Sequence, residues 1–318
     1  MKTTTPIRIG VSSCLLGHKV RFDGGHKQDA FLTDLLQNFV TYVPLCPEVE
    51  MGMSTPRPAI HLATINGDTR LVDPKSKKDW TDGMVRWAEK RLAQPDMGFL
   101  SGYVLKKGSP SCGMERVPLH RTDAPSLNKG VGVFARLMMK KNPLLPVEEE
   151  GRLNDPTLRE NFIERVFSFH RLTTLFSSPW TAKDLILFHT DEKLLLMAHE
   201  PEGYRALGRL TGSIKKIPPQ EMADTYPARF METMAHPATV QRHVNVLQHA
   251  AGYLRNVAGD AERREMRLII EDYQRGCVPL IAPIAVLRTL VRVHGIAYLE
   301  NQTYLNPHPK ELMIRNHV

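Results

Sequence analysis

The hydrophobic and polar positions of the first half of the chain alternate between strand-like and helix-like stretches. Residues 7–12, 40–45 and 98–105 are short apolar runs typical of buried strands, whereas residues 28–38 and 81–93 have the spacing of amphipathic helices. Strands that alternate with helices in this way are typical of βαβ units, whose strands pair in parallel. The pattern therefore predicts an α/β domain with an open, mostly parallel sheet.

Three further elements are predicted in the same half. Residues 60–65 and 69–72 flank Asn66-Gly67, a strong signal for a β-hairpin. A helix opened by glycine is expected over residues 130–141, and a last strand over residues 143–147. Thr81 is expected to cap the helix over residues 81–93.

Beyond the acidic turn around Glu149 and the dipeptide Asp155-Pro156, the apolar period becomes that of helices. We therefore predict two domains, an α/β domain over residues 1–150 and an all-α domain over residues 151–318. The tail from residue 300 is expected to be extended. The predicted helices span residues 157–175, 181–199, 201–210, 219–235, 237–258, 261–275 and 279–294.

Composition and charge narrow the function classes only modestly. No apolar run approaches the ~20 residues that a membrane-spanning helix needs, and residues 1–6 contain no apolar signal-peptide segment, so we expect a cytoplasmic protein with no membrane contact. The formal charge is +8, with 21 basic and 16 acidic residues up to Glu150 and 21 and 18 after it. A basic surface on both halves suits a polyanion such as nucleic acid, but it suits an ordinary basic protein equally well.

The cysteines carry the most specific chemical signal. Cys14, Cys46 and Cys112 each follow a predicted strand closely, and in an open α/β sheet the carboxyl ends of neighbouring strands converge on a ligand site. Four well-separated cysteines in a long chain favour reduced thiols over disulfides. Cys277 lies between two apolar helices, and we expect it in the core rather than among the ligands.

Thiolates are soft ligands that select iron–sulfur clusters, zinc or copper(I). A [4Fe-4S] cluster held by three thiolates leaves one iron open as a Lewis acid, whereas a structural zinc site takes a fourth protein ligand. The spacing alone leaves a cluster, a zinc site and three unrelated buried cysteines equally open.

Five motifs follow one another around the cysteines: Ser12-Ser13-Cys14-Leu15-Leu16-Gly17, Arg21-Phe22-Asp23-Gly24, Cys46-Pro47-Glu48-Val49 with Pro56-Arg57, Asp79-Trp80-Thr81 and Lys107-Gly108-Ser109-Pro110-Ser111-Cys112-Gly113. Together they resemble the thiouracil desulfidase family over about the first 150 residues. Residues 50–53 depart from the family, which more often has small glycine-rich residues there.

Four motifs stand out in the second half: Trp180-Thr181-Ala182-Lys183-Asp184-Leu185, Leu194-Leu195-Leu196-Met197-Ala198-His199, His243-Val244-Asn245-Val246-Leu247-Gln248-His249 and Leu312-Met313-Ile314-Arg315-Asn316. With them the second half is similar to the helical domain that follows this domain in bacterial tRNA 4-thiouridine desulfidases.

The resemblance implies a [4Fe-4S] cluster held by Cys14, Cys46 and Cys112, whose open iron takes up the sulfur of a thiolated uracil. The implied activity is hydrolytic removal of sulfur from 4-thiouridine in tRNA, which gives uridine and sulfide without net redox change. Glu48, two residues from a ligand, is the candidate acid or base; pairing with Arg57 is its structural alternative.

Ser109 and Ser111 are the candidate donors to the developing charge in the same reaction. A loop-capping hydrogen bond is the alternative role for both serines.

The candidate RNA contacts lie in the second domain. The predicted helix over residues 237–258 has an apolar stripe, and its opposite face carries side chains that suit phosphate, sugar or base edges. Two other readings stay open: a desulfidase for free 4-thiouracil or thionucleosides, and a non-enzymatic RNA-binding protein with a structural or sensing metal. No protein partner is evident. The candidate RNA-binding residues are Arg242, Asn245, His249, Tyr253, Lys183 and Lys193.

Overall fold

The computed structural model describes residues 6–121 and 125–317. Residues 1–5, on which the expectation of an N-terminus without a signal peptide rests, lie outside the described residues. The chain forms two compact units, the first ending at Asn154 and the second beginning at Asp155. This division falls close to the predicted junction after residue 150.

The main sheet of the first unit has four strands, and every pairing in it is parallel. β1 lies between β2 and β5, and β8 pairs with the far side of β5. The predicted open parallel sheet is therefore confirmed, although the last strand begins at Val147 and not at residue 143. The strands are β1 (Arg8–Ser12), β2 (Thr41–Leu45), β5 (Gly102–Leu105) and β8 (Val147–Glu149).

A second, mixed sheet has the strand order β4-β3-β6-β7. The predicted hairpin joins β3 to β4, and Asn66 and Gly67 at its tip have φ angles of 52° and 84°, the conformation that a tight hairpin turn requires. The apolar pattern did not predict β6 and β7, which have only four residues each. The strands are β3 (His61–Ile65), β4 (Asp68–Val72), β6 (Val117–His120) and β7 (Leu127–Gly130).

Four helices accompany these sheets. Thr81 does not cap α2 as expected: its hydroxyl accepts a hydrogen bond from Leu71 N of β4 at 2.7 Å, which fixes the start of the helix against the second sheet. The helix predicted over residues 28–38 is broken into short turns at Phe31–Leu35 and Leu36–Asn38. The helices are α1 (Pro47–Glu50), α2 (Thr81–Leu92), α3 (Pro95–Gly98) and α4 (Val133–Lys141).

The second unit is helical throughout its described residues. Asp155 and Thr181 accept hydrogen bonds from the first turns of α5 and α6, so the predicted starts of these helices have a clear cause. The predicted extended tail is wrong, because α12 and helical turns at Thr303–Leu305 and Lys310–Leu312 occupy it. The helices are α5 (Pro156–Phe176), α6 (Ala182–His199), α7 (Pro201–Gly212), α8 (Pro219–Met234), α9 (Val240–Ala251), α10 (Asp260–Gln274), α11 (Ile281–Val293) and α12 (Ala297–Glu300).

A buried ionic cluster ties the tail of the second unit to its first helix. Arg315, which is 3% exposed, donates from Nε to Glu160 at 3.2 Å and to Glu164 at 3.1 Å. His199 Nε2 lies 2.9 Å from the other oxygen of Glu164. Burial alone would raise the pKa of Glu164, but Arg315 and His199 outweigh it and hold the pKa below its ordinary value.

None of the helices in the described ranges combines the length and the apolar character needed to cross a bilayer.

Candidate functional site

Three cysteines lie at one edge of the main sheet. Cys14 follows β1 directly, Cys46 follows β2 directly, and Cys112 lies in the loop after β5. Because β2, β1 and β5 are neighbours in a parallel sheet, their carboxyl ends share an edge. All three cysteines line one cavity of about 470 Å³ at this edge, as the sequence analysis expected.

The thiols are largely shielded from solvent. Cys14 and Cys112 are 8% and 6% exposed, and Cys46 is half-buried with its Sγ 3.8 Å from Val20 O. Cys277 is exposed, so its predicted place in the core is wrong. It follows Gly276, whose φ of 72° turns the chain away after α10.

Burial raises the pKa of all three thiols that line the cavity. The pKa of Cys14 rises to about 11, first because of desolvation and then because Cys46 lies nearby. Desolvation and Cys46 likewise raise the pKa of Cys112 well above its ordinary value. Three thiolates are therefore disfavoured in this cavity unless a cationic group binds them.

The three cysteines do not form a site for a single ion. Across residues 6–121 and 125–317, no three His, Cys, Asp or Glu side chains are placed to hold one metal ion. What relates the three thiols to one another is the cavity that all of them line.

Glu48 lies in the first turn of α1 and lines the same cavity. Its Oε2 accepts a hydrogen bond from Arg57 Nε at 2.9 Å, and its Oε1 accepts one from Ser111 Oγ at 2.8 Å. The pairing with Arg57, which the sequence analysis treated as an alternative to catalysis, is present. The carboxylate is nevertheless at the cavity wall, with 13% of its side chain exposed.

Arg57 has a wider role than the pairing with Glu48 that was considered from the sequence. Its side chain is 3% exposed, and it also donates to Ser54 O at 3.2 Å and Val20 O at 3.0 Å. The guanidinium therefore joins the loop after α1 to the loop that contains Val20 and fixes Glu48 between them. Only the motif Pro56-Arg57 signalled it in the sequence.

The two candidate serines have different environments. Ser109 lines the cavity, and its Oγ accepts hydrogen bonds from the backbone N–H groups of Cys112 at 3.1 Å and Ser111 at 3.3 Å. This is the loop-capping role considered for it. Ser111 is fully buried and donates to Glu48, so it acts on the carboxylate.

A glycine sets how closely α4 approaches the Cys112 loop. A Cβ on Gly132 would lie 2.5 Å from Ser111 O and 2.8 Å from Cys112 N, distances that no side chain tolerates. Ala135 N donates to Ser111 O at 3.2 Å across the same contact. Glycine at this position therefore permits the start of α4 to support the third cysteine.

The mouth of the cavity is basic and partly aromatic. Arg21, Lys27 and Lys107 line it, and the ring of Phe22 is 41% exposed beside them. Lys106 lines it as well but is paired with Glu150. Such a mouth can hold an anionic group and a planar ring together.

The candidate RNA-binding residues are distributed over two helices of the second unit. On and just after α9, Asn245, His249 and Tyr253 are exposed. Arg242 is half-buried, and its Nη1 donates to the backbone carbonyls of His199 and Pro237.

On α6, Lys183 is exposed and Lys193 is half-buried. His189 of the same helix is buried, with Nδ1 3.0 Å from the hydroxyl of Tyr226. His189 therefore belongs to the interior of the helical unit.

Two family models match separate parts of the chain. A family model described as 2-thiouracil desulfurase matches residues 9–150, and one described as a protein of unknown function, DUF1722, matches residues 193–309. A solved structure titled [4Fe-4S]-dependent thiouracil desulfidase TudS is 32% identical, with 47% of this chain and 94% of that chain covered and a TM-score of 0.39.

Two curated relatives align over nearly their whole lengths. The uncharacterized protein YbgA of Escherichia coli (strain K12) is 31% identical over 168 residues, which are 52% of this chain and 95% of YbgA. The uncharacterized protein YbbK of Bacillus subtilis (strain 168) is 32% identical over 151 residues, which are 46% of this chain and 97% of YbbK. With these alignments and the match over residues 9–150, the chain belongs to the 2-thiouracil desulfurase family, with a DUF1722 region behind the family domain.

Proposed function

We propose that this protein removes sulfur from 4-thiouridine in tRNA, with a [4Fe-4S] cluster held by Cys14, Cys46 and Cys112. The observation that carries the proposal is the single cavity at which these thiols and the carboxylate of Glu48 meet. Membership of the 2-thiouracil desulfurase family supports a thiolated uracil as the reacting base.

The donor set fits the proposed cluster. Cysteine thiolates are the ligands that iron–sulfur clusters take from proteins, and all three line one cavity that is large enough to hold more than their side chains. When bound, the cluster supplies a Lewis-acidic iron that polarises the carbon–sulfur bond of the base.

Glu48 is the proton-transfer group in the proposed reaction. Its carboxylate takes a proton from the water whose oxygen bonds to C4 of the base, and it returns a proton to the sulfur as the carbon–sulfur bond breaks. The second proton of the water leaves the oxygen as the C4 carbonyl forms and goes to the departing hydrosulfide. Water and 4-thiouridine thus become uridine and hydrogen sulfide, and no electrons are exchanged. Arg57 and Ser111 each engage one oxygen of Glu48, which orients the carboxylate towards the cavity.

The cavity mouth supports a substrate that carries phosphate. Lys27 and Lys107 are exposed cations beside the exposed ring of Phe22, so a base can pack on the ring while a neighbouring phosphate meets the lysines. A thiouridine in folded tRNA is stacked, and its extrusion costs a few kcal/mol that contacts to the RNA backbone must offset. The exposed polar face of α9 in the second unit supplies donors for such contacts.

The test is turnover by the full chain after anaerobic reconstitution with iron and sulfide. Thiolated tRNA and free 4-thiouracil are incubated separately, and loss of the thiolated base is compared with sulfide released. With tRNA, we expect the amount of sulfide released to equal the amount of thiolated base lost. Turnover should be lost in Cys112→Ser. It should be complete in Cys277→Ser, because the thiol of Cys277 is exposed and lies outside the cavity. Turnover of free 4-thiouracil alone would refute tRNA as substrate, and no turnover of either with an intact cluster would refute the desulfidase itself.

A further inference from the structure

Two tyrosines form a stacked pair on the surface of the second unit. Tyr253, in the turn after α9, is 42% exposed, and its ring lies 5.0 Å from that of Tyr298 on α12 with an interplanar angle of 22°. His249, one turn earlier, packs its ring edge against Tyr253 at 5.9 Å. An exposed aromatic face that neighbouring rings already hold in place loses little side-chain freedom when a planar group stacks on it.

An arginine-lined cleft lies beside this pair. A cavity of about 240 Å³ between α9 and α10 is lined by Gly252, which precedes Tyr253, and by Arg255, Arg263 and Arg267. Arg263 is held by Asp260 and by the carbonyl of Arg255. Within the described part of the chain, the guanidinium groups of Arg255 and Arg267 have no acidic partner, and no carboxylate lines the cleft.

Both features lie at the C-terminal end of α9, because Gly252 at the edge of the cleft and Tyr253 in the pair are consecutive residues; together they are called the α9-end surface. We infer that this surface binds single-stranded RNA, with one unstacked base on the Tyr253–Tyr298 pair and an adjacent phosphate in the arginine cleft. The inference rests on the proposed function in so far as it identifies the RNA as the substrate tRNA, opened near the modified base.

RNA in a single-stranded conformation fits this surface better than a duplex. Sequence-tolerant RNA binding combines aromatic side chains, on which bases stack, with cations along the backbone, and a paired base has no free face. A hydrogen bond between the hydroxyls of Tyr298 and Tyr253 also joins the two rings, so the stacked pair is held at its polar end as well. Arginine is also suited to the phosphate, because its planar fork binds two oxygens at once.

A purely structural role is the competing explanation. The two rings could simply fasten α12 to the turn after α9, in which case Tyr253→Ala would lower the melting temperature without a specific effect on RNA. Tyr253→Trp keeps a large ring at this position, and Tyr298→Phe keeps the ring but removes the hydroxyl. These two variants separate stacking from folding.

The experiment measures binding of the full-length protein to a fluorescent single-stranded oligouridylate and to a duplex of the same length. We expect Tyr253→Ala to weaken single-strand binding about tenfold, the effect of one lost base stack, and Tyr253→Trp to keep it. The double change Arg255→Glu/Arg267→Glu should weaken binding. It should also reduce the slope of log K against log salt concentration by the equivalent of one to two phosphate contacts, each of which contributes about 0.7 to that slope. Arg264→Glu is the matched control, because Arg264 is an exposed arginine of α10 that does not line the cleft.

Equal binding by Tyr253→Ala and wild type, or equal effects of the two charge changes and the control, would overturn the inference. Equal affinity for duplex and single strand would do the same. If the wild type lacks desulfidase activity but binding of the oligouridylate still depends on Tyr253, the proposed function fails and the assignment of the surface stands.

Discussion

Breaking the ion pair between Arg57 and Glu48 should destabilise the first unit by about 3 kcal/mol. The pair is shielded, with 3% and 13% of the two side chains exposed, so solvent screens it only weakly. Arg57→Met removes two hydrogen bonds to Glu48 Oε2 and leaves the carboxylate partly buried without its counter-charge. The loss of one partner of a buried pair costs about 3–5 kcal/mol, and we take the lower end because Ser111 still donates to Glu48.

The double variant Arg57→Met/Glu48→Gln isolates the pair itself. Arg57→Met also removes the bonds to Ser54 O and Val20 O, but that loss is common to both Arg57→Met backgrounds and cancels in the cycle. We expect a coupling of about 2 kcal/mol, so the double variant is more stable than the sum of its single changes predicts. Its turnover should stay low, because no carboxylate remains to move the proton.

Denaturant unfolding of the first unit can be followed by its own fluorescence. Trp80 and Trp87 lie in the first unit and Trp180 in the second, so a Trp180→Phe background leaves only the first unit emitting. Arg70→Met is the matched control: it breaks the exposed contact with Asp82, whose side chain is 75% exposed, and should cost under about 1 kcal/mol. A coupling between Arg57 and Glu48 below about 0.5 kcal/mol would refute the reasoning.

Three other expectations concern the cysteine loop, the thiols and the helical unit. Gly132→Ala should displace the Cys112 loop and lower the iron bound after reconstitution, whereas Gly212→Ala, where a Cβ meets nothing within 4 Å, should not; equal iron content in the two would contradict this. Because burial raises the pKa of Cys14 to about 11, ligation must release protons, and the yield of reconstituted cluster should rise between pH 7 and pH 9; a flat profile would argue against ligation by these thiols. Burial lowers the pKa of His189 to about 4, so the unfolded state binds a proton at higher pH than the folded state does. The free energy of unfolding of the helical unit should therefore fall by up to about 3 kcal/mol between pH 6.5 and pH 4. In denaturant titrations, His189→Phe should reduce this pH-dependent loss.

The sequence was informative wherever a local pattern determines the structure. Apolar runs located the strands that precede Cys14, Cys46 and Cys112, and their shared edge follows from parallel pairing. The starts of α5 and α6 were predictable because Asp155 and Thr181 are capping residues next to their helices.

Contacts between distant residues were not predictable from such patterns. Ser111 donates to Glu48 across 63 positions, and nothing in either local motif specifies that pairing. The strands β6 and β7 escaped notice because each has only four residues and lacks regular alternation. Cys277 was misplaced because apolar neighbours in sequence do not reveal a turn that points outward.

The buried pair between Arg315 and Glu164 also has a consequence for protein synthesis. The two residues are 151 positions apart, so Glu164 lacks its cationic partner until residue 315 has left the ribosome. The first unit has no such dependence, because its last sheet strand ends at Glu149. The growing chain can therefore complete the unit with the three-cysteine cavity early, while the buried ion pair of the helical unit forms only after residue 315 has been synthesised.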